Sequence, residues 1–401
     1  MTAGRDVIYL DNHATTRLDP RVLEAMLPWL TERYGNAGST THEPGREARD
    51  VVEDARRRVA AAVGAEPREI VFTSGATESV NLALLGLAAR AIATGGGPRR
   101  IVTLATEHVC VLDPLDHLQR QGWEIVRLPV IGQRESADRA GLVSLDAVAA
   151  AVQPGTLLVS VLAAHNEIGV VQDVAAIAAI AHAAGAVVHV DCAQAPGRLP
   201  VDVDALGADL ASFSAHKCHG PQGQGVLYVR RRGRAIRLEP LVYGGGQERG
   251  LRSGTLDVAG IVGCAAALDL AVAGCAAEAE RMRGLRDRLW ERLAAGIPGL
   301  GLNGPPLAAA VRLANNLNVR VPGVDGQTLL ATLAASGLAV SSGSACSSET
   351  PRPSHVLLAL GLDEDEARSS LRFGLSRFTT AAEIDQAAER IVAAAATLRR
   401  G

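Results

Sequence analysis

Lysine is almost missing from this sequence. Of 40 basic residues, 39 are arginine and one, Lys217, is lysine. Arginine stays protonated, whereas a buried lysine can lose its proton and act as an amine nucleophile or base. The depletion therefore singles out Lys217, either as a chance survivor at the surface or as a residue whose chemistry arginine cannot replace. Aromatics are scarce as well, at 3%, so the core must be assembled from Ala, Val, Leu and Ile. No charge of one sign dominates: 40 basic against 43 acidic residues leave a formal charge of −3. That balance offers no basic surplus for nucleic acid and no charge block for an anionic membrane. The six cysteines (Cys110, Cys192, Cys218, Cys264, Cys275 and Cys346) contain no CxxC pair. They are too sparse for a disulfide scaffold and lack zinc spacing, so no metal is expected.

Leader and membrane signals are weak too. Met1 to Leu10 has no cationic segment followed by an apolar run, so no signal peptide is expected and a reducing cytoplasm is the expected compartment. Val258 to Ala277 approaches membrane length. Asp269 interrupts it and its Ala and Gly are weakly apolar, which predicts a buried, tightly packed helix instead.

What is present is ordinary globular composition over 401 residues, 48% hydrophobic and 21% charged, enough for a large core and two to three domains. Short β-branched runs at Ile70–Thr73, Arg100–Leu104, Glu124–Leu128, Leu157–Val161, Val187–Val190, Leu210–Ser214 and Gly225–Val229 predict strands. Helical patterns lie between them, at Glu78–Ala93, Ser144–Val152 and Val174–Ala184. Buried strands joined by helical crossovers predict an α/β fold around a mostly parallel sheet, with ligands bound at the strand C-termini. After about residue 258 the texture changes to a long helix, Asp257 to Ala295, then turns and a compact α+β segment. The expected division is a large domain over 17–258 and a smaller one built from 1–16 and 259–401.

Five segments carry chemistry. Ile70-Val-Phe-Thr-Ser-Gly-Ala-Thr-Glu-Ser79 ends a strand at a Ser-Gly turn and opens a helix at Ala76 or Thr77. Exposed N–H groups there form an anion cradle suited to phosphate, or a plain N-cap. Val187-Val-His-Val-Asp191-Cys-Ala-Gln194 delivers an acid to a strand end. Such a carboxylate suits a metal, a protonated ring nitrogen or an N-cap. In Asp209 to Gly220 the sole lysine follows a strand between Ser214, His216 and glycines. A desolvated lysine in that setting can form a Schiff base, while His216, Cys218 and His219 lack the further ligands a metal needs. Together these three describe pyridoxal phosphate, with its aldehyde on Lys217, its ring nitrogen on Asp191 and its phosphate at the Ala76/Thr77 turn. Val340 to Pro353 sets Cys346 among small polar residues and two prolines, an exposed loop that favours a nucleophilic thiol over a packed one. In Ser369-Ser-Leu-Arg372-Phe, Arg372 could clamp a carboxylate or form an interdomain ion pair.

Tyr9-Leu-Asp-Asn-His-Ala-Thr-Thr16, Thr-Ser-Gly-Ala-Thr-Glu-Ser, Asn166-Glu-Ile-Gly169, Val190-Asp-Cys-Ala-Gln194, Ser-Ala-His-Lys217 and Ser-Ser-Gly-Ser-Ala-Cys346 occur in one order. Taken together they resemble the cysteine desulfurases of the NifS/IscS type, in the fold-type I, class V aminotransferase group. The resemblance runs from about residue 7 to 395, and the last motif separates this branch from the SufS-like one. It implies the PLP-dependent transferase fold type I and a homodimer. It implies Lys217 as the cofactor lysine and mover of the substrate α-proton, and His108 as the residue stacked on the ring. Asp191 would pair with the ring nitrogen and Gln194 would contact the ring hydroxyl. Thr77, Ser214 and His216 would take the phosphate with the backbone of Ala76, and Thr255 would reach the other subunit's phosphate. Asn166 and Arg372 would hold the substrate carboxylate. Cys346 would take sulfur from L-cysteine as a persulfide, leaving L-alanine, and pass it to an acceptor such as an iron–sulfur scaffold protein.

Departures from the family pattern are His165, where Asn is usual and which adds a titratable neighbour to Asn166, and the extra thiols Cys192 and Cys218, for which packing is expected. The sequence ends at Gly401 without the longer tail that housekeeping members use to engage their scaffold, which leaves the docking mode open. A selenocysteine lyase or cysteine-sulfinate-type enzyme on the same scaffold is the rival activity. A Cys346 hydrolase would need a His–acid partner and leaves Lys217 unexplained. A catalytically dead assembly subunit would need neither Lys217 nor Cys346.

Overall fold

The computed structural model describes residues 7–342 and 353–399. The chain opens with a short strand, β1 (Ile8–Tyr9), and two helices, α1 (Pro20–Thr31) and α2 (Glu43–Val63). Strands and helices then alternate: β2 (Ile70–Thr73), α3 (Ala76–Ala93), β3 (Arg100–Leu104), α4 (Val109–Arg120), β4 (Glu124–Leu128), α5 (Leu145–Ala151), β5 (Thr156–Leu162), α6 (Val174–Ala183) and β6 (Val187–Asp191). β7 (Leu210–Ser214) and β8 (Gly225–Val229) follow with no α-helix between them. These seven strands form one sheet in the order β2-β8-β7-β6-β5-β3-β4. Only β8 runs against its neighbours; every other pairing is parallel.

Five strands have the boundaries expected from sequence, and the other two extend by a single residue at one or both ends. That agreement has a physical cause. Strands covered on both faces read as unbroken β-branched runs, and here nearly every strand residue is buried. α3 begins at Ala76, where the Ser-Gly turn was expected to open a helix, with Glu78 accepting the Ser74 N–H at 2.7 Å.

The remaining elements are α7 (Val258–Gly296), β9 (Gly301–Leu302), β10 (Asn316–Arg320), α8 (Gly326–Ala335), β11 (Leu338–Ala339), α9 (His355–Ala359), α10 (Glu364–Arg368), β12 (Ser370–Gly374) and α11 (Ala381–Leu398). β12, β10 and β9 make a three-stranded antiparallel sheet, and β1 pairs in parallel with β11. Ile8 and Leu10 share an apolar cluster with Leu317, Leu371, Phe373 and Ile391. α7 serves two cores. Ile261, Cys264 and Leu268 pack under the large sheet, whereas Met282, Leu289 and Leu293 join the second cluster. It is long and apolar enough to cross a membrane by composition, yet 67% of its apolar window is buried inside the protein. A packed core helix accounts for it.

A polar chain runs through the middle of the large sheet. His189 on β6 is fully buried and bonds Ser160 Oγ through Nδ1 and Ser212 Oγ through Nε2, both at 2.9 Å. Burial pushes its pKa down to about 3, so it is neutral when folded but takes up a proton near its ordinary value when unfolded. Stability from this group is full above that ordinary value and falls with pH toward 3, by roughly one kcal/mol per pH unit. His189→Gln keeps a hydrogen-bonding side chain without the proton linkage. Its acid-unfolding midpoint, followed by circular dichroism from pH 7 to 3, is expected at lower pH than that of the wild type.

Candidate active site

The C-terminal ends of the parallel strands surround a cavity of about 460 Å³. Five of the strands contribute at their ends. Ser74 to Thr77 come after β2, His108 after β3, Asn166 after β5, Asp191 and Gln194 from β6, and Ser214, His216 and Lys217 from β7. Nine residues expected from sequence, Ala76, Thr77, His108, Asn166, Asp191, Gln194, Ser214, His216 and Lys217, therefore line one space. Thr255 and Arg372 do not line it, and Cys346 lies outside the described residues.

The Lys217 amine is half a fold away in sequence from the groups that hold it. Its Nζ donates to the carbonyl oxygens of His13 at 2.5 Å and Ala14 at 2.8 Å. Burial pushes the amine down to about 8; the Arg198 and Arg372 guanidinium charges add to this, while Asp191 and Asp11 oppose it. Asp191 is buried, accepts the Ala193 N–H at 2.9 Å, and has its carboxyl pushed up by burial. A cation placed against it would stabilise its charged form. His108 caps α4, its Nδ1 accepting the Cys110 N–H at 3.1 Å, so the proton sits on Nε2 and the ring is fixed at the cavity wall. Burial lowers its pKa, with Asp191 opposing.

The α3 end has the form of an anion seat. Gly75, at φ 152°, supplies no side-chain cap, so the first N–H groups of the helix are left for another acceptor. Ser214 Oγ is buried and has no hydrogen-bond partner among the described residues. A Cβ on Gly225 of β8 would lie 2.5 Å from Gly75 Cα, so the turn reaches its place only because β8 starts with glycine.

Comparison with known proteins matches residues 8–387 to the class-V aminotransferase family model. The chain is 49% identical over 380 residues to "Cysteine desulfurase IscS" of Anaeromyxobacter sp. (strain K), covering 95% of this chain and 90% of that one. It is 46% identical to "Cysteine desulfurase, mitochondrial" of Arthroderma benhamiae, over 96% of this chain and 74% of that one. Among solved structures, a "NifS-like protein" aligns with a TM-score of 0.88 at 38% identity, over 98% of this chain and 100% of the other. The chain belongs to the class-V aminotransferase family.

This family's cofactor is pyridoxal phosphate, and the class-V chemistry fits the donors present. The orphaned Ser214 hydroxyl and the uncapped α3 N-terminus suit a phosphate. The buried Asp191 suits a protonated ring nitrogen, and the lowered Lys217 amine suits an aldehyde.

Tertiary contacts define the state of several of these residues, and for His165 they differ from the expectation. Gln194 is largely committed within the protein: its Oε1 accepts from His13 Nδ1 at 3.0 Å and Arg198 Nη1 at 2.6 Å, and its Nε2 donates to the His13 carbonyl at 3.0 Å. His165 adds no titrating neighbour near neutrality. Its Nε2 donates to the Thr106 carbonyl at 2.8 Å, its Nδ1 accepts the Glu167 N–H, and burial pushes it down to about 4. His216, Cys218 and His219 turn to three separate partners, Thr15, Ala215 and Arg17, rather than toward one another. Burial raises the Cys218 thiol to about 11 and also raises Cys192, so both are packed and unreactive.

Three contributors were missed. Arg198 is buried and donates to the carbonyls of Lys217, Asn12 and Gln194. His13 links Gln194 to Asn316 of β10, whose Nδ2 donates to His13 Nε2 at 3.2 Å. Glu107 is buried with its Oε1 on the Leu162 N–H and, among the described residues, no partner for Oε2. Burial and nearby Asp191 raise its carboxyl well above the usual range. Only His13 had a signal, since it lies within the Tyr9–Thr16 motif.

Two outcomes are expected. Apoprotein should take up pyridoxal phosphate faster as pH rises, with a half-maximal rate near pH 8 where the Lys217 amine loses its proton. Stopped-flow absorbance between pH 6.5 and 9.5 measures this. Gly225→Ala should push the Gly75 turn away and weaken cofactor retention by about tenfold or more, the size of an overpacking strain of 1–3 kcal/mol. Equilibrium dialysis reads that loss.

Proposed function

We propose that this protein is a pyridoxal-phosphate-dependent cysteine desulfurase that converts L-cysteine to L-alanine and stores the sulfur as a persulfide on Cys346. The observation that carries the reading is the convergence of Lys217, Asp191, His108 and the uncapped α3 end on one cavity, in a chain 49% identical over 95% of its length to a cysteine desulfurase.

Bound at Lys217, pyridoxal phosphate supplies an electron sink for the substrate's α-carbon. The chain's own groups do the rest. Asp191 would keep the ring nitrogen charged. His108, whose ring is fixed by the Cys110 N–H, would stack on the ring. Thr77, Ser214, His216 and the Ala76 N–H would hold the phosphate. Gln194, held in its network with His13 and Arg198, would contact the ring hydroxyl. Lys217 Nζ, when freed, takes the α-proton while the His13 and Ala14 carbonyls keep it in place. Asn166 and Arg372 orient the substrate carboxylate. The Cys346 thiolate attacks the substrate sulfur, so that a sulfur–sulfur bond forms as the carbon–sulfur bond breaks. The bonding electrons return to carbon, which is protonated to give alanine.

The proposal includes a homodimer in which Thr255 reaches the neighbouring subunit's phosphate. Thr255 does not line its own cavity, and the exposed apolar stretch Leu241 to Tyr243 lies beside it, tied to Arg252 through Val242. It also includes the division into 17–258 and a smaller domain of 1–16 with 259–401, supported by the separate apolar cluster that Ile8 and Leu10 join. Its acceptor is a sulfur-carrying partner such as an iron–sulfur scaffold, and its compartment is the cytoplasm.

Lys217→Ala should abolish alanine formation and the cofactor's visible band. Cys346→Ser should retain the band yet lose sulfur transfer by orders of magnitude, up to about a millionfold, the scale for removing a nucleophile. Alanine and sulfide are quantified with and without thiol. A colourless wild type that cannot be reconstituted with pyridoxal phosphate would overturn the proposal. A Cys346→Ser enzyme that still releases selenium from selenocysteine would point to the lyase.

A further inference from the structure

The structure assigns Asp11 a role that the reaction above does not use. We infer that Asp11 occupies the seat of the substrate's carboxylate on Arg372 and is displaced when substrate binds, which makes it a specificity-determining residue. The inference rests on the reading of Arg372 as the carboxylate-binding residue.

Arg372 lies on β12 with only 1% of its surface exposed. Its Nη2 donates to Asp11 Oδ1 at 2.7 Å, while its Nε is buried and has no hydrogen-bond partner among the described residues. Guanidinium and carboxylate groups ordinarily meet through two parallel N–H···O bonds. Here the pairing uses a single nitrogen and leaves a donor of the same fork orphaned, which is the pattern of a seat partly filled.

Both backbones are pinned, so exchange must be made by side chains. The Arg372 N–H donates to Ser341 O at 2.6 Å, and Arg372 pairs with Asn318 across β10. Asp11 is bridged to Gly374, with the Asn12 N–H donating to Gly374 O at 3.1 Å. The two ends differ in their access to water. The Asp11 side chain is 19% exposed against 1% for Arg372. Asp11 can turn into solvent; Arg372 cannot. A buried guanidinium left unpaired is strongly destabilising, so Asp11 keeps the charge matched until another carboxylate arrives.

Neither residue lines the cavity, but the pair lies close behind the amine that does. Asp11 is in the segment whose His13 and Ala14 carbonyls hold Lys217 Nζ, and both Arg372 and Asp11 act on that amine. An α-amino acid bound there brings a carboxylate able to use Nε and Nη2 together. A ligand with an amine and no carboxylate cannot displace Asp11, and the site discriminates against it.

The test uses holoenzyme, with L-alanine as a carboxylate-bearing probe and L-alaninol as its counterpart without one. Binding is read by calorimetry and by the absorption of the bound cofactor. Asp11→Asn should tighten L-alanine several-fold and leave L-alaninol unchanged. Equal or weaker L-alanine binding would overturn the inference. Arg372→Leu separates this outcome from failure of the underlying reading. If the preference for L-alanine over L-alaninol disappears in Arg372→Leu, the reading of Arg372 stands whatever Asp11→Asn does. If it persists, that reading fails. Should Asp11→Asn not fold, a crystal structure of wild-type holoenzyme with L-alanine decides. Asp11 turned away from Nη2 supports exchange, and Asp11 still bonded to it refutes exchange.

Discussion

A primary amine is held in a desolvated interior beside two guanidinium groups, and much of this structure follows from keeping that amine in place. Among the described residues, Lys217 Nζ has no acid within hydrogen-bond reach; it rests on the carbonyls of His13 and Ala14. Main-chain oxygens stabilise an ammonium less than a carboxylate does, so the proton is held loosely and burial dominates. A lysine paired with an acid would stay charged and be a poor nucleophile. The oxygens must come from a segment far away in sequence, which is why the stretch from Tyr9 to Thr16 crosses the mouth of the large sheet.

That crossing segment ties the two apolar cores together. Ile8 and Leu10 pack with β10 and β12, while His13 bonds Gln194 on the large-sheet side and Asn316 on β10. Arg198 lies beneath, gathering the carbonyls of Asn12, Gln194 and Lys217. A shift of β10 or β12 is therefore felt at the Lys217 amine through a short run of hydrogen bonds. Gly374 sharpens this coupling: a Cβ there would lie 2.7 Å from His13 N.

Charge in the cavity is separated rather than neutralised pairwise. Asp191 and the lowered Lys217 sit at the ends of neighbouring strands, with neutral histidines around them: His108, His165 and His216 all have their pKa values pushed down, chiefly by burial. Titration near neutrality is thereby confined to few groups. Positive charge approaches the amine from Arg198 and Arg372, and Asp11 offsets the second of these from a half-open position.

The positions of the strands, the mostly parallel sheet and most of the cavity residues were legible locally in the sequence, while His108 and Asn166 were named only through the family resemblance. A strand buried on both faces is a β-branched run, and the residues at its C-terminal end follow it directly in the chain. Lys217 stood out by composition alone. Asp191, Ser214 and Thr77 stood out by their position after such runs. Other features had no local signature. The Lys217 cradle joins residues about 200 positions apart, and the acceptors are main-chain atoms that any residue type would supply. Arg198 is one of 39 arginines, and only burial distinguishes it. The commitment of Gln194, the neutrality of His165 and the pairing of Arg372 with Asp11 likewise depend on neighbours delivered by distant segments. Sequence determined which chemical groups stand at the strand ends. Tertiary packing decided which are desolvated, which are already satisfied and which remain available to a ligand, because desolvation and hydrogen-bond satisfaction belong to the folded surroundings and not to the residue.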